Sequence, residues 1–265
     1  MSALRRRIAD RLPAVSRLLR QRDELAAEVE RLRRQLDAER RPARDDLSYV
    51  FIVTYGRSGS TLLQGMLDAT PGWLIRGENA GSVYHLYKHY RLITERPQSV
   101  RKKVPTDPTH PWFGLDGYPR RVALRELRAL VLDTLLRPEP DTRVTGFKEI
   151  RWQSSDLQQY LEFLTELFPG ARFVFNTRSH EEVVRSWQKK GGGWAGKDYD
   201  GQLAEVARIE NLQLSAAEAL GDAAYRVHFD DYVADPSVLK GLFAWLGEEY
   251  DEARLRAVME TRHSY

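Results

Sequence analysis

The 265-residue sequence contains no cysteine, which excludes disulfides and metal sites built on thiolates. It also has no apolar run of the roughly 20 residues that a membrane-spanning helix requires. Arginines near the amino terminus are not followed by an apolar segment, which disfavours a secretory signal peptide. These absences predict a soluble cytoplasmic protein without a transmembrane segment.

Positive charge is concentrated in the amino-terminal part of the chain. Residues 1–44 hold 13 Lys and Arg against 7 Asp and Glu, a net charge of +6, whereas the whole chain has a net charge of +3. The remaining residues therefore carry −3. A nucleic-acid-binding domain would show its basic patch in the folded body, so we expect no nucleic-acid partner.

Residues 1–41 predict a basic helical arm that is a candidate coiled coil. Its two seam positions hold mostly aliphatic residues, Ile8, Val15, Val29 and Leu36 at one and Leu18, Leu25 and Leu32 at the other. This pattern favours a homodimer through residues 14–39, and peripheral contact with an acidic membrane surface is the second option. Pro42 ends the helix, so residues 42–46 form a predicted linker and residues 47–265 a single domain.

The segment 47–63 reads LSYVFIVTYGRSGSTLL. The apolar run before the glycines predicts a strand that is buried on both faces of a parallel sheet. Gly56 and Gly59 permit a tight turn, while Ser60 and Thr61 open a helix whose first amides favour an anion. A phosphate-binding loop is therefore predicted, and a turn that uses its glycines for geometry alone remains the alternative. A P-loop nucleoside triphosphatase would need a Lys that this motif lacks.

A second segment, residues 171–177, predicts another buried strand, followed by Arg178 and a helix. Ser186 lies eight residues after Arg178, on that helix. In open α/β sheets, ligands bind outside the carboxyl ends of the strands. Arg178 and the glycine loop are therefore expected to border one crevice.

Together these segments resemble the sulfotransferases that use 3′-phosphoadenosine 5′-phosphosulfate (PAPS). TYGRSGSTLL is similar to their 5′-phosphosulfate loop, and FVFNTRSHEEVVRSW is similar to their 3′-phosphate segment. The similarity extends to VTGFKEIRW and HFDDYVADPSVLKGLFAWLG, and it is nearer to the bacterial carbohydrate and Golgi-type branches. It implies an α/β fold, a P-loop-like three-layer domain in which helices flank a central parallel sheet, preceded here by the helical coiled-coil arm.

The resemblance also implies PAPS as donor co-substrate, no metal, and a hydroxylated acceptor such as a carbohydrate or glycolipid. The implied donor-binding residues are Gly56, Arg57, Ser58, Gly59, Ser60, Thr61, Arg178 and Ser186. Arg57 stands where many relatives have Lys, and it keeps the positive charge with a different geometry. Arg57 and Lys148 would stabilise the negative charge that develops during transfer.

Glu78 is the implied catalytic base. It follows a short apolar run, residues 73–75, and in tyrosylprotein and some carbohydrate sulfotransferases that resemble this chain a Glu after the second strand takes the acceptor proton. Alternatives are a surface Glu in a turn, or one of His85, His89 and His110, because the cytosolic branch uses His. Lys148 lies near the carboxyl end of a predicted strand, residues 143–150, and a plain ion pair with Glu149 is its alternative role.

Residues 96–121 predict a long irregular loop whose Trp112, Phe113 and Tyr118 either contact an acceptor or anchor the loop on the core. Residues 225–229 predict a last strand, and residues 236–246 predict a helix with one apolar side. Two other classes of function remain open. One is a P-loop nucleotide-dependent, kinase-like enzyme, and the other is a coiled-coil scaffold with a vestigial nucleotide pocket.

Overall fold

The structure, a computed structural model, describes residues 13–39, 44, 46–95, 108–114, 117–189 and 197–261. The chain divides after residue 45 into two units. The first contains helix α1 (Pro13–Glu39), which lies within the predicted helical arm. Whether α1 forms a coiled coil remains a prediction.

The second unit is built on a five-stranded parallel sheet. Its strands are β1 (Ser48–Val53), β2 (Trp73–Arg76), β3 (Val144–Glu149), β4 (Arg172–Thr177) and β5 (Ala224–His228). They lie in the order β2-β3-β1-β4-β5, and each neighbouring pair is parallel. Because β1 is central, the loop after it lies beside the carboxyl ends of both β3 and β4.

Helices connect the strands. They are α2 (Ser60–Asp68), α3 (Ser82–Glu95), α4 (Arg120–Val131), α5 (Leu157–Leu167), α6 (His180–Lys189), α7 (Tyr199–Leu220), α8 (Phe229–Ala234), α9 (Lys240–Leu246) and α10 (Glu252–Glu260). A π-helical turn, Leu132–Leu136, continues α4, and 3₁₀ turns at Gly221–Ala223 and Pro236–Leu239 precede β5 and α9.

Successive side chains of β1 enter two different cores, one on each face of the sheet. Tyr49, Phe51 and Val53 pack in a core with apolar residues of α3, α5 and α7. Val50 and Ile52 pack in a second core with those of α2, α9 and α10. Both faces of the strand are covered, which explains why its sequence is almost continuously apolar. The predicted three-layer α/β architecture is confirmed.

Two predicted boundaries are wrong. Phe229 is not the end of β5 but the first residue of α8, whose first turn contains Asp230 and Asp231, and acidic residues at that position favour a helix start. The predicted loop 96–121 ends earlier, because α4 begins at Arg120, directly after Pro119. Residues 96–107 and 115–116 of that loop lie outside the described residues.

In the part of the chain that the structure describes, none of the helices combines the length and the apolar character that crossing a membrane would require.

Candidate active site

The turn between β1 and α2 is shaped by two residues in the left-handed region, Arg57 (φ 68°) and Gly59 (φ 77°). Glycine is required at position 59, because a Cβ there would lie 2.0 Å from the ring of Phe229. Immediately after this turn α2 begins, and the first amides of a helix have no acceptor within the helix. The turn and the helix start together form a favourable position for an anion.

A cavity of about 450 Å³ opens at the carboxyl ends of β1, β3 and β4. Nine of the ten residues that the sequence assigned to a site line it, namely Gly56, Arg57, Gly59, Ser60, Thr61, Glu78, Lys148, Arg178 and Ser186. Ile150, Trp187 and Phe229 complete the lining. None of His85, His89 and His110 is among these described lining residues, so Glu78 is the candidate base that the structure brings to the cavity.

Ser58 is the exception. Its side chain is fully buried, and its Oγ lies 2.6 Å from Thr54 Oγ1. Asn176 on β4 donates a hydrogen bond from Nδ2 to the Ser58 carbonyl at 2.9 Å, while Thr54 Oγ1 donates to the Asn176 carbonyl. The Ser58 carbonyl therefore fastens the loop to β4, while its hydroxyl bonds to Thr54, and Ser58 is not among the residues that line the cavity.

Lys148 and Glu78 form an ion pair within the cavity. The Lys148 Nζ donates to Glu78 Oε1 at 2.7 Å, and the lysine side chain is only 7% exposed. The alternative ion pair between Lys148 and Glu149 is wrong, since the Lys148 side chain points to Glu78. Burial of the ammonium strengthens its electrostatic effect on any charge that forms nearby.

The two sequence motifs meet at Arg57, Arg178 and Ser186. Arg57 Nε donates to Ser186 Oγ at 2.8 Å, and Arg178 Nη1 donates to the Arg57 carbonyl at 3.1 Å. The Arg178 guanidinium lies 4.6 Å from the centroid of the Phe229 ring. Its Nε is buried and has no hydrogen-bond partner among the described residues, because Asp230 Oδ1 is 3.8 Å away and therefore too distant.

The Tyr55 hydroxyl holds the backbone of Arg178 in place. Its hydroxyl accepts a hydrogen bond from the Arg178 N–H at 3.0 Å and donates one to Glu210 Oε2 at 2.6 Å. Burial, together with the Glu210 carboxylate, raises the pKa of Tyr55, so the phenol stays protonated. His180 Nε2 lies 3.2 Å from the same Glu210 oxygen.

Sequence reasoning missed Tyr55, Glu210 and the cavity residues Ile150, Trp187 and Phe229. Tyr55 lies inside the glycine motif, but its partner Glu210 is 155 residues away on α7 and has no local signal. Trp187 directly follows Ser186, and Ile150 lies two residues after Lys148, so their positions beside assigned residues were the available signal.

Among the described residues, no group of three or more His, Cys, Asp or Glu side chains is arranged to hold a metal ion.

Comparison with known proteins gives the family. Residues 49–252 match the model of the sulfotransferase family. A comparison with curated proteins finds no match. Since the family model spans well over half of the chain, the chain belongs to the sulfotransferase family, and the family resemblance seen in the sequence is confirmed.

A solved sulfotransferase domain supports the fold. The sulfotransferase domain from the curacin biosynthetic pathway has a TM-score of 0.51 at 16% identity, covering 82% of this chain and 79% of that domain. The sulfotransferase domain from the olefin synthase of Synechococcus PCC 7002 has a TM-score of 0.49 at 22% identity, covering 80% of this chain and 78% of that domain.

Proposed function

We propose that the protein transfers a sulfuryl group from PAPS to a hydroxyl group of a carbohydrate or glycolipid. The observation that carries this proposal is the convergence of the loop 56–61, the Arg178 and Ser186 pair, and the Glu78 and Lys148 pair on one cavity. Sulfuryl transfer needs a site that holds a highly anionic donor and accepts a proton beside it.

The cavity suits such a donor. It contains three cationic side chains, Arg57, Lys148 and Arg178, and its volume of about 450 Å³ lies within the usual range for small-molecule sites. The Arg178 guanidinium supplies positive charge to the cavity, and Ser186 supplies a hydroxyl to the same cavity. These two residues would hold the 3′-phosphate, whereas the loop amides and Arg57 would hold the 5′-phosphosulfate.

PAPS supplies the sulfuryl group and a nucleotide leaving group. In the proposed reaction Glu78 takes the proton of the acceptor hydroxyl, whose oxygen forms a new bond to sulfur as the bond from sulfur to the phosphate oxygen breaks. Arg57 and Lys148 offset the negative charge that collects on that leaving oxygen. The 2.7 Å contact between Lys148 and Glu78 supports this proposal, because the proposed base and the proposed charge stabiliser would act side by side.

Two exposed aromatic side chains that do not line the cavity are candidate contacts for a sugar-containing acceptor. Trp112 and Phe113 are 42% and 53% exposed. Tyr118, by contrast, packs against the core and so anchors this part of the chain. Flat aromatic faces in solvent suit the apolar faces of sugar rings.

Calorimetric titration with 3′-phosphoadenosine 5′-phosphate (PAP) and with ATP plus magnesium tests the donor class. We expect the wild-type protein to bind PAP at least tenfold more tightly than magnesium ATP. Arg178→Ala should weaken PAP binding more than tenfold, because a charge-assisted contact is lost. Arg185→Ala is the matched control, since Arg185 lies on α6 but is paired with Glu182 in solvent.

No PAP binding by the wild type, or a preference for magnesium ATP, would contradict the proposal and favour a P-loop nucleotide enzyme. In a further outcome, deletion of residues 1–41 abolishes the cellular function while Glu78→Ala and Arg178→Ala leave it unaffected. That result would identify the protein as a scaffold.

A further inference from the structure

Glu149, the last residue of β3, is a buried carboxylate whose closest partners are main-chain amides. The residue is 2% exposed. Its Oε2 accepts hydrogen bonds from the N–H groups of Asn79 at 3.2 Å and Gly81 at 2.9 Å. Its Oε1 accepts from those of Ile150 at 2.8 Å and Arg151 at 3.3 Å. The carboxylate therefore joins two segments that are about 70 residues apart.

The backbone around Ala80 is shaped to receive this carboxylate. Ala80 (φ 57°) and Gly81 (φ 77°) are consecutive residues in the left-handed region. Consecutive amides in turns of this kind form a concave site for an anion. An alanine in this region is strained, and the strain persists only where the surrounding structure holds it. Glu149 supplies that restraint through its bonds to the residues on either side of Ala80.

The main chain of Glu149 is also held in place by a side chain. Its carbonyl accepts a hydrogen bond from Trp152 Nε1 at 2.6 Å, and Trp152 is a buried side chain stacked between Phe147 and Tyr160. The carboxylate thus belongs to a rigid part of the core. The backbone segment that this carboxylate binds therefore takes its position from β3.

The segment 79–81 that Glu149 binds directly follows Glu78. The residue before Glu149 on β3 is Lys148. We propose that Glu149 is a positioning residue that sets the geometry of the Glu78 and Lys148 pair by tying the 79–81 backbone to the end of β3. This inference rests on the proposed function, in which Glu78 is the base. It assigns Glu149 no contact with donor or acceptor, since Glu149 is not among the residues that line the cavity.

The test compares Glu149→Gln with Glu248→Gln in the full-length protein. Gln keeps the size of Glu149 but removes its charge and replaces one acceptor oxygen by an NH₂ group, so two of the four amides lose their acceptor and the other two bond to a weaker, neutral one. Glu248 is a suitable control because its largely buried carboxylate also joins distant segments, Trp73 and Arg143, at the amino ends of β2 and β3. Gly81→Ala, which imposes strain at φ 77°, is a second variant that leaves Glu149 intact.

The first readout is amide hydrogen exchange over residues 77–82 of the protein without ligand. Glu149→Gln should accelerate exchange at positions 79 and 81 at least tenfold, whereas Glu248→Gln should leave them unchanged. The second readout separates turnover from donor binding. PAP release from PAPS with water as acceptor should fall at least tenfold in Glu149→Gln and in Gly81→Ala, while the Kd for PAP stays within threefold of wild type.

Unchanged exchange in Glu149→Gln would overturn the anchoring role. Accelerated exchange with turnover equal to that of Glu248→Gln would overturn the positioning role. If Glu149→Gln does not fold, unchanged turnover in folded Gly81→Ala would equally overturn the positioning role. A wild-type protein that neither binds PAP nor releases it from PAPS refutes the proposed function instead, so the two failures are distinguishable.

Discussion

Arg57 donates a hydrogen bond from Nε to Ser186 Oγ at 2.8 Å, across a sequence separation of 129 residues. This bond joins the glycine loop after β1 to helix α6 after β4. Both side chains line the cavity, so the groups that we assign to the two ends of the donor nucleotide are already in contact. Ser186 therefore orients the Arg57 guanidinium as well as offering its own hydroxyl.

Ser186→Ala should weaken PAP binding about three- to tenfold, because a net loss of one to two hydrogen bonds costs about 1 kcal/mol. Calorimetric titration measures the change. Ser237→Ala is the control, since the Ser237 hydroxyl bonds locally to Asp235 and the residue does not line the cavity. Equal affinities for PAP in wild type and Ser186→Ala would contradict the assignment of Ser186.

Gly59→Ala should destabilise the fold by more than about 2 kcal/mol, because the new Cβ meets the Phe229 ring and the residue must keep φ at 77°. Thermal unfolding measures the loss. Gly77→Ala is the matched control, since a Cβ at that position has no heavy atom within 4 Å. Similar melting temperatures for the two variants would show that the loop does not need glycine at position 59.

Asp68, the last residue of α2, predicts a dependence of stability on pH. Burial raises the pKa of Asp68 from 3.8 to about 6, although the Ile75 N–H donates to its Oδ1 at 2.5 Å and acts in the opposite direction. The folded state then binds this proton more tightly than the unfolded state. The contribution of Asp68 to the free energy of unfolding therefore falls as the pH rises from about 4 to about 6.

Asp68→Asn removes this titration and keeps an acceptor for the Ile75 N–H. Its free energy of unfolding relative to wild type should rise by about 2 to 3 kcal/mol between pH 4 and pH 7. Urea unfolding at several pH values measures the difference. A difference that stays constant over this range would contradict the raised pKa.

Helix α1 predicts a homodimer. Leu18, Leu25 and Leu32 are 65%, 66% and 50% exposed and recur every seven residues along α1. Burial of this seam against a second copy would remove apolar surface from water. Light scattering should give twice the chain mass of 30.6 kDa for wild type.

Leu25→Asp should convert this dimer to a monomer, because it places a charge in the seam. Ala27→Asp, two residues further and on the solvent side of the heptad pattern, should remain dimeric. A wild-type monomer at tens of micromolar protein would refute the coiled coil.

Sequence alone predicted the central strands well for a physical reason. Strands β1 and β4 are covered on both faces, so the buried runs 49–53 and 173–175 are apolar, and such runs stand out. The glycine loop was recognisable because its local backbone demands glycine. The end of β5 was misplaced because Phe229 is as apolar as a strand residue, yet its ring packs against Gly59 from the start of a helix.

The supporting contacts of the site could not be predicted from sequence. Nothing near Glu149 indicates that its carboxylate binds amides of the 79–81 segment, since the partners are main-chain groups. The hydrogen bond from Tyr55 to Glu210 depends on how α7 packs against the sheet. Motifs identify residues that contact a ligand, whereas the residues that hold them are set by the three-dimensional fold.

The central claim is sulfuryl transfer with Glu78 as base, and the most direct test is turnover of PAPS. Purified wild-type protein is incubated with PAPS and a panel of monosaccharide glycosides and glycolipids, and sulfated product is detected by mass spectrometry alongside PAP release. The account predicts a sulfated product, and it predicts that Glu78→Gln lowers the rate at least a hundredfold while PAP affinity stays within about threefold of wild type. Folded wild-type protein that yields neither sulfated product nor PAP, or Glu78→Gln with wild-type turnover, would contradict it.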